Sequence, residues 1–402
     1  MRVLILHQNR FYKVKYDVAI DHEQVDVCYA GTREYLDQVP AGLRHSTFEV
    51  KEGESVHAQL QAWMRTQPPF DAILTRQENL MMTAAELREE FSVPGMTRAE
   101  TDLFRDKVLM KRAVAAAGLR VPLHARITHD LDALPWTGKT VLKPVDGAGS
   151  RDVSLFATSA EALAHVREAL GEDPHHPYAR HFELEEFVTG PIWHVDGYLY
   201  KGEPVLVKTS RYVGTCLDYG AGAPLGSVQV DNPELAQWAL RCLAALGARS
   251  VTFHLEAIES PDGPVFLETA GRAGGGDVVE LIERATGVNL HVLDMGTEVR
   301  GHLAQRYVDI QHSPRKYGFF IFAGHQLKGA PCDVVGADRM LASPLVENVN
   351  RLPPGTPAPM KSTYQALDVP LSGIVSSPSS DELENWLSEL FSVTRVVAVA
   401  AA

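Results

Sequence analysis

Cysteine is scarce in this 402-residue chain, which has only four: Cys28, Cys216, Cys242 and Cys332. They are scattered and form no C-x-x-C pair, so a cysteine zinc cluster and a dithiol redox centre are excluded and buried, reduced thiols are expected. Long apolar runs are missing too. No stretch approaches the ~18 apolar residues of a membrane helix. The opening run at 3–6 is shorter than a signal-peptide core and reads as a first strand, so a cytoplasmic protein is expected, away from membranes. Positive charge is short: 38 Lys and Arg stand against 51 Asp and Glu, a formal charge of −13. That argues against nucleic acid as a partner, because a broad phosphate footprint needs clustered cations. Any anionic ligand must be gripped locally. The G-x-x-x-x-G-K-[ST] pattern is absent, which excludes a Walker phosphate loop.

With 45% apolar and 22% charged residues, the chain has the length and composition for two or three packed domains of mixed α/β (α+β) class. Segments 3–6, 25–29 and 72–75 read as strands and 82–91 as a helix, the alternation of a small parallel sheet. Val93-Pro94-Gly95 punctuates its end. One helix is expected over 102–117, stopped by Gly118 and Val121-Pro122. From residue 140 the strands read as antiparallel, with 140–144 and 152–157 flanking Val145-Asp146-Gly147-Ala148-Gly149-Ser150. The polar stretch 172–181, with His175, His176 and His181, reads as a solvated loop. The divisions drawn are 1–97, 98–190, 191–300 and 301–402.

The most informative segment is 254–277. Residues 254–260 and 264–270 alternate as two strands around a three-residue Pro261-Asp262-Gly263 connection. In that register 258 faces 266, and Glu256 faces Glu268 on one side of the sheet, with β-carbons roughly 5 Å apart. Two carboxylates so close call for a cation, and a magnesium ion bridging nucleotide phosphates takes such ligands. His254 shares their face, opposite Ala270, and either touches substrate or is a structural histidine. Arg272 can hold a carboxylate or phosphate bidentately, next to the amides of Gly274-Gly275-Gly276. Asp277 and Glu280 have the spacing of a capping box.

Upstream, Lys143 ends a strand directly before the Gly147–Ser150 loop, a fit for phosphate oxygens, although alone this is also an ordinary hairpin. Lys107 alone reads as a surface lysine. Glu185-Glu186-Phe187-Val188-Thr189-Gly190 runs a strand into a turn whose main chain could meet an adenine edge. The 214–226 loop, with four glycines, is long enough for a lid.

In this order the motifs resemble the ATP-grasp superfamily, in particular its carboxylate–amine ligases that join amino acids, the L-amino acid ligases. The resemblance covers 70–300. The flanks match more loosely, as an N-terminal α/β domain preceding the grasp and a C-terminal α+β substrate-side subdomain. It implies ATP with Mg2+ or Mn2+ as cofactors. Lys107, Lys143, Gly147, Ala148, Gly149 and Ser150 would bind phosphates. Glu185, Glu186, Phe187 and Val188 would form the adenine hinge, and Glu256 and Glu268 the metal ligands. Arg272, Lys143 and His254 would be the catalytic residues. Arg272, Ser210, Arg211 and the 301–402 segment would face the substrates.

The implied reaction activates a carboxylate as an acyl phosphate, which an amine attacks to form an amide, releasing ADP and phosphate. The partners would be small carboxylate and amine substrates, amino acids among them, and the resemblance is compatible with a homodimer. Two departures stand out. Where many relatives have Glu-x-Asn, Glu268 is followed by Thr269 and Ala270, which removes an oxygen ligand. At the ribose position Ile192 replaces an acid, leaving Asp196, His194 or nothing for that task. A phosphotransferase on the same fold, or a nucleotide-binding regulatory protein without turnover, are the alternatives.

Overall fold

A computed structural model describes residues 1–171, 173 and 175–399 of the chain. Its first sheet is parallel, built from β1 (Arg2–Leu6), β2 (Asp26–Gly31), β3 (Ser46–Glu49) and β4 (Ala72–Thr75) in the order β3-β2-β1-β4. Val3 and Ile5 enter one core cluster while Leu4 and Leu6 enter another. A strand covered on both faces is apolar throughout, which is why β1 was readable as an unbroken run. The sequence reading omitted β3 and the helix Val56–Met64. Three of the four β3 residues are exposed, so no apolar alternation betrays the strand.

Directly after β1, His7 is fully buried, with Nδ1 3.1 Å from the Tyr16 hydroxyl and Nε2 3.2 Å from the Tyr35 carbonyl. Burial lowers its pKa to about 4, against the Tyr35 hydrogen bond, which raises it. The neutral ring carries no penalty above pH 6.5. Below that, the unfolded chain takes up a proton that the folded chain refuses until about pH 4, so stability falls as pH drops through this window. By pH 5 the expected loss from this group is on the order of 2 kcal/mol. Denaturant unfolding at pH 7 and pH 5 should show a smaller pH-dependent loss in His7→Gln than in the native chain.

The second sheet is antiparallel, with β5 (His124–Arg126), β6 (Thr140–Pro144), β7 (Ser154–Phe156) and β8 (Phe182–Glu186) in the order β5-β8-β6-β7. The helix Ser159–Leu170 covers it through Ala162, Leu163, Val166 and Leu170, which meet Leu142 and Leu184. Of the stretch 172–181, residues 172 and 174 lie outside the described residues. It ends in a kinked turn over Tyr178–His181 rather than in a plain loop.

The expected helix over 102–117 is two helices, Arg98–Asp102 and Lys107–Ala116. Asp106 breaks it by turning its carboxylate onto the amides of Val108 (3.0 Å) and Leu109 (3.1 Å), the geometry of an N-cap. Lys107 thereby becomes the first helical residue, and Met110 and Val114 pack with Leu255 and Phe266 under the third sheet.

That third sheet contains β9 (Ile192–Tyr200), β10 (Glu203–Val213), β11 (Leu225–Gln229), β12 (Val251–Ser260), β13 (Gly263–Ala270) and β14 (Lys316–Phe322). After β15 (Pro331–Val335) come β16 (Val346–Arg351), β17 (Thr356–Pro357), β18 (Leu371–Ser377) and β19 (Arg395–Ala398). The order in the large sheet is β13-β12-β9-β10-β11-β14-β18-β16, and β17-β15-β19 form a small separate sheet. The division drawn at 300 therefore cuts a continuous sheet: β14 pairs antiparallel with β11, Leu225 opposite Ile321. No helix among the described residues is long and apolar enough to cross a membrane.

Candidate active site

The β12–β13 hairpin differs from the expected register and still opposes its carboxylates. The turn uses two residues, Pro261 and Asp262, with Gly263 at φ +105°. Ile258 accordingly faces Val265 rather than residue 266, and continuing that register would bring Leu267 opposite Glu256. A bulge that leaves Leu267 unpaired restores Glu256 opposite Glu268 and His254 opposite Ala270. Because a one-residue slip turns every side chain to the other face, the bulge decides that Glu268 faces the site.

Glu268 Oε2 lies 3.2 Å from Lys107 Nζ. Burial raises the Glu268 pKa, but Lys107 and Lys143 outweigh it and bring it down to about 2. Glu256 Oε1 accepts from the Tyr212 hydroxyl at 3.0 Å and lies 3.4 Å from His254 Nε2. His254 Nδ1 is 2.7 Å from Asp196 Oδ1, and the other Asp196 oxygen is 2.5 Å from His194 Nδ1. Burial disfavours the charge on His254, yet Asp196 and Glu256 raise its pKa to about 10. At neutral pH it is a fixed cation beside Glu256, unsuited to general-base work. The turn at Gly274 lies directly on this pair. A β-carbon there would come 2.8 Å from His254 Nδ1 and 2.9 Å from Asp196 Oδ1, so only glycine fits.

His194, Asp196 and His254 bring ligand atoms within 4.8 Å of one another. Their atoms are already engaged, His194 Nε2 with Ser227 Oγ at 2.6 Å included, so the cluster is an internal network that fixes His254. His194 and Asp196 are each 1% exposed and do not line the cavity, which corrects their candidacy for the ribose position. For a hard cation the fitting donors are Glu256 and Glu268: two opposed, ionisable oxygen ligands with a lysine ammonium already drawn against one of them.

Lys107 Nζ also donates to the Gly147 carbonyl at 2.6 Å, and Ala148, Gly149 and Ser150 border the main cavity. Lys143 Nζ lies 3.0 Å from the Glu185 carboxylate. Burial opposes its charge, and Glu185, Glu183 and Glu268 together raise its pKa well above the usual lysine value. Sequence reasoning missed Lys111, fully buried between Glu183 Oε1, at 2.6 Å, and Glu185. Its signal was there: Lys111 is one turn beyond Lys107, and Glu183 and Glu185 share one face of β8. The Glu185 carboxylate thus turns inward to lysines. Glu186 accepts from the Leu123 amide at 3.0 Å, and Lys139 Nζ sits 3.8 Å over the Phe187 ring. Neither these hinge residues nor Val188 border the main cavity.

Arg272 does border it, with Nε 2.9 Å from Glu78 Oε2; Arg105 holds the other Glu78 oxygen. Glu78 lies 194 residues away in the chain, and nothing in the sequence pointed to it. Neither Ser210 nor Arg211 lines the cavity. Arg211 points to the opposite face of β10, paired with Glu384 and lying 5.3 Å over Trp193. Its neighbour Tyr212 is the residue that faces the carboxylates. The expected capping box also fails: Asp277 makes no side-chain cap and sits 3.7 Å from Lys13. Nor is 214–226 a free lid. It folds into the helix Cys216–Gly220, with Tyr219 fully buried and its hydroxyl 2.5 Å from the Thr363 carbonyl.

No protein-family model matches the chain. A protein described as uncharacterised, y4rH of Sinorhizobium fredii (strain NBRC 101917 / NGR234), is 25% identical over 249 residues, 59% of this chain and 51% of that protein. The chain spans about half the length of this curated relative. Among solved structures, the L-amino acid ligase from Bacillus licheniformis is similar with a TM-score of 0.72 at 17% identity, covering 99% of each chain. Phosphoribosylglycinamide synthetase from Anaerococcus prevotii matches with 0.66 at 13% identity, also over 99% of both. N5-carboxyaminoimidazole ribonucleotide synthetase from Thermotoga maritima matches with 0.63 at 12%, again over 99% of both. At these identities the likeness is one of fold. The chain has the fold of these three structures over 99% of its length.

Proposed function

We propose that the protein is an ATP-dependent, ADP-forming ligase that joins a carboxylate to an amino group, with an amino acid as at least one substrate. The opposed Glu256 and Glu268, ringed by Lys107, Lys143 and Arg272, carry this reading. Bound ATP and Mg2+ (or Mn2+) would supply the phosphoryl group that activates the carboxylate and neutralise its charge. Glu256 and Glu268 would hold the metal, His254 and Tyr212 fixing the first of them. Lys107, Lys143 and the 147–150 loop would bind phosphate oxygens, and residues 185–188 the base. Arg272, oriented by Glu78, would stabilise negative charge as acid and phosphoryl oxygens approach.

Neutralised cations favour amino-acid substrates over phosphorylated ones. Lys13, Lys15 and Arg76 on the cavity wall each lie within 4.0 Å of a carboxylate, of Asp277, Glu283 and Asp294 respectively. A substrate phosphate at that end would find each of them already paired. The test is product analysis with ATP, Mg2+ and panels of acids and amines. ADP and phosphate should form only when both are present. AMP and pyrophosphate, or ADP with a stable phosphorylated acid and no need of an amine, would overturn the reading.

A further inference from the structure

The stretch 358–370 before β18 is held at several points along its length. Arg10, in the loop after β1, lies 3.3 Å from Asp368. Asn350 Nδ2 and Ser372 Oγ both donate to the Ala366 carbonyl, at 2.8 and 2.7 Å, and the Tyr219 hydroxyl donates to the Thr363 carbonyl. These anchors fix Tyr364 in the wall of the cavity that Glu256, Glu268 and Arg272 border. Its ring packs on that of Tyr219, with 4.9 Å between the centroids.

Tyr364 stands between two glycine turns that belong to different sheets. Gly149, in the loop after β6, has φ +66°, and a β-carbon there would come 3.2 Å from Tyr364 Cε2. A β-carbon on Gly275, in the turn after β13 that also carries Arg272, would lie 3.9 Å from Tyr364 Cβ. The ring edge therefore rests on the loop 147–150, while the base of the side chain rests on the turn beside Arg272. Burial, and after it the charges of Cys216 and Glu256, raise the pKa of the hydroxyl, which places the tip of the ring towards Glu256. Elsewhere the same loop is held by cations: Lys107 Nζ donates to the Gly147 carbonyl at 2.6 Å, and Arg105 donates to the Asp146 carbonyl. Tyr364 is the aromatic contact that ties its tip to the side of the cavity formed by the arginine and the carboxylates.

We propose that Tyr364 is a positioning residue that holds the loop 147–150 shut over the acyl phosphate, so that the amine rather than water reaches it. The proposal rests on the ligase reading for its chemistry, and not for the ring's hold on the loop. In that chemistry a carboxylate oxygen takes the terminal phosphoryl group of ATP, and ADP leaves. The amine nitrogen then attacks the carbonyl carbon, the bond from that carbon to the phosphate oxygen breaks, and phosphate leaves with the nitrogen's proton. Water in the amine's place returns the acid and phosphate, so ATP is consumed without an amide, the side reaction that a closed site prevents. Amide formed per ADP released should be about one in the native chain and about fivefold or more lower in Tyr364→Ala. Tyr364→Phe keeps the ring against Gly149 and should restore the ratio. Where Tyr364→Ala fails to fold, Tyr364→Leu also uncovers Gly149 and should uncouple as well. In parallel, trypsin cleavage after the exposed Arg151, with Mg2+ and a non-hydrolysable ATP analogue, should run faster in Tyr364→Ala than in Tyr364→Phe or the native chain. An equal fall in ADP and amide, leaving their ratio native, overturns the proposal, and so does a Tyr364→Phe protein as uncoupled as Tyr364→Ala. If the native chain releases no ADP with any acid and amine, the ligase reading falls and cleavage at Arg151 decides on the contact alone. Equal cleavage of the native and Tyr364→Ala chains then overturns the hold on the loop, and faster cleavage of the variant upholds it.

Discussion

Glu268→Gln is expected to lower ADP release by at least 10²–10³-fold, the scale of removing one preorganised electrostatic contact from a transition state. The amide has the shape of the carboxylate, so the β13 bulge and the packing beneath it persist. What disappears is the charge that Lys107, 3.2 Å away, and Lys143 hold ionised down to about pH 2. A neutral amide is a poor ligand for a hard divalent cation, and both lysines lose a counter-charge in the same step. The side chain keeps 34% of its surface, so water screens part of the change and the fold should survive. Circular dichroism and the urea midpoint should stay near native while turnover falls. Native turnover in a folded Glu268→Gln protein would refute its assignment as a metal ligand.

Lys111→Met is expected to give the largest loss of stability, about 3–5 kcal/mol, because it strands buried carboxylates. Lys111 and Glu183 side chains are both 0% exposed and 2.6 Å apart. Burial raises the Glu185 pKa, while Lys111 and Lys143 pull it below the ordinary value, so its charge depends on those lysines. Without Lys111, Lys143 is the cation left to compensate both acids. It already lies 3.9 Å from Glu183 and would be drawn inward, so nucleotide affinity should fall with stability. Adding Glu183→Gln removes the surplus charge and should restore most of both. Urea unfolding and nucleotide titration on the single and double variants decide it. A cost below about 1 kcal/mol for Lys111→Met, or no recovery in the double variant, would show that charge balance does not hold this cluster.

Much of this was written locally in the chain. The alternation at 254–270 is read within one hairpin, and the unbroken apolar run of β1 within one strand, because period and turn residues act over a few positions. Residue 97 lies between β4 and β5 and residue 190 between β8 and β9, strands of different sheets. Residue 300 lies between strands of one sheet, since β14 joins β11 from far along the chain, with Leu225 opposite Ile321 and Val228 opposite Gly318, and no local pattern records which distant edge a strand will join.

The side-chain partnerships divide the same way. Lys107, Lys143, Glu256, Glu268 and Arg272 were candidates from the sequence because their residue types and order carry the chemistry. Only the tertiary structure decided that Glu185 turns inward to Lys111, that Glu78 grips Arg272, and that Tyr212 rather than Arg211 faces the carboxylates. A single bulged residue, Leu267, settled which side chains of β13 enter the site. Hydrophobic period and turn chemistry are properties of neighbours in the chain. The partner of a buried charge is set by desolvation, which exists only after sheets and helices close around it.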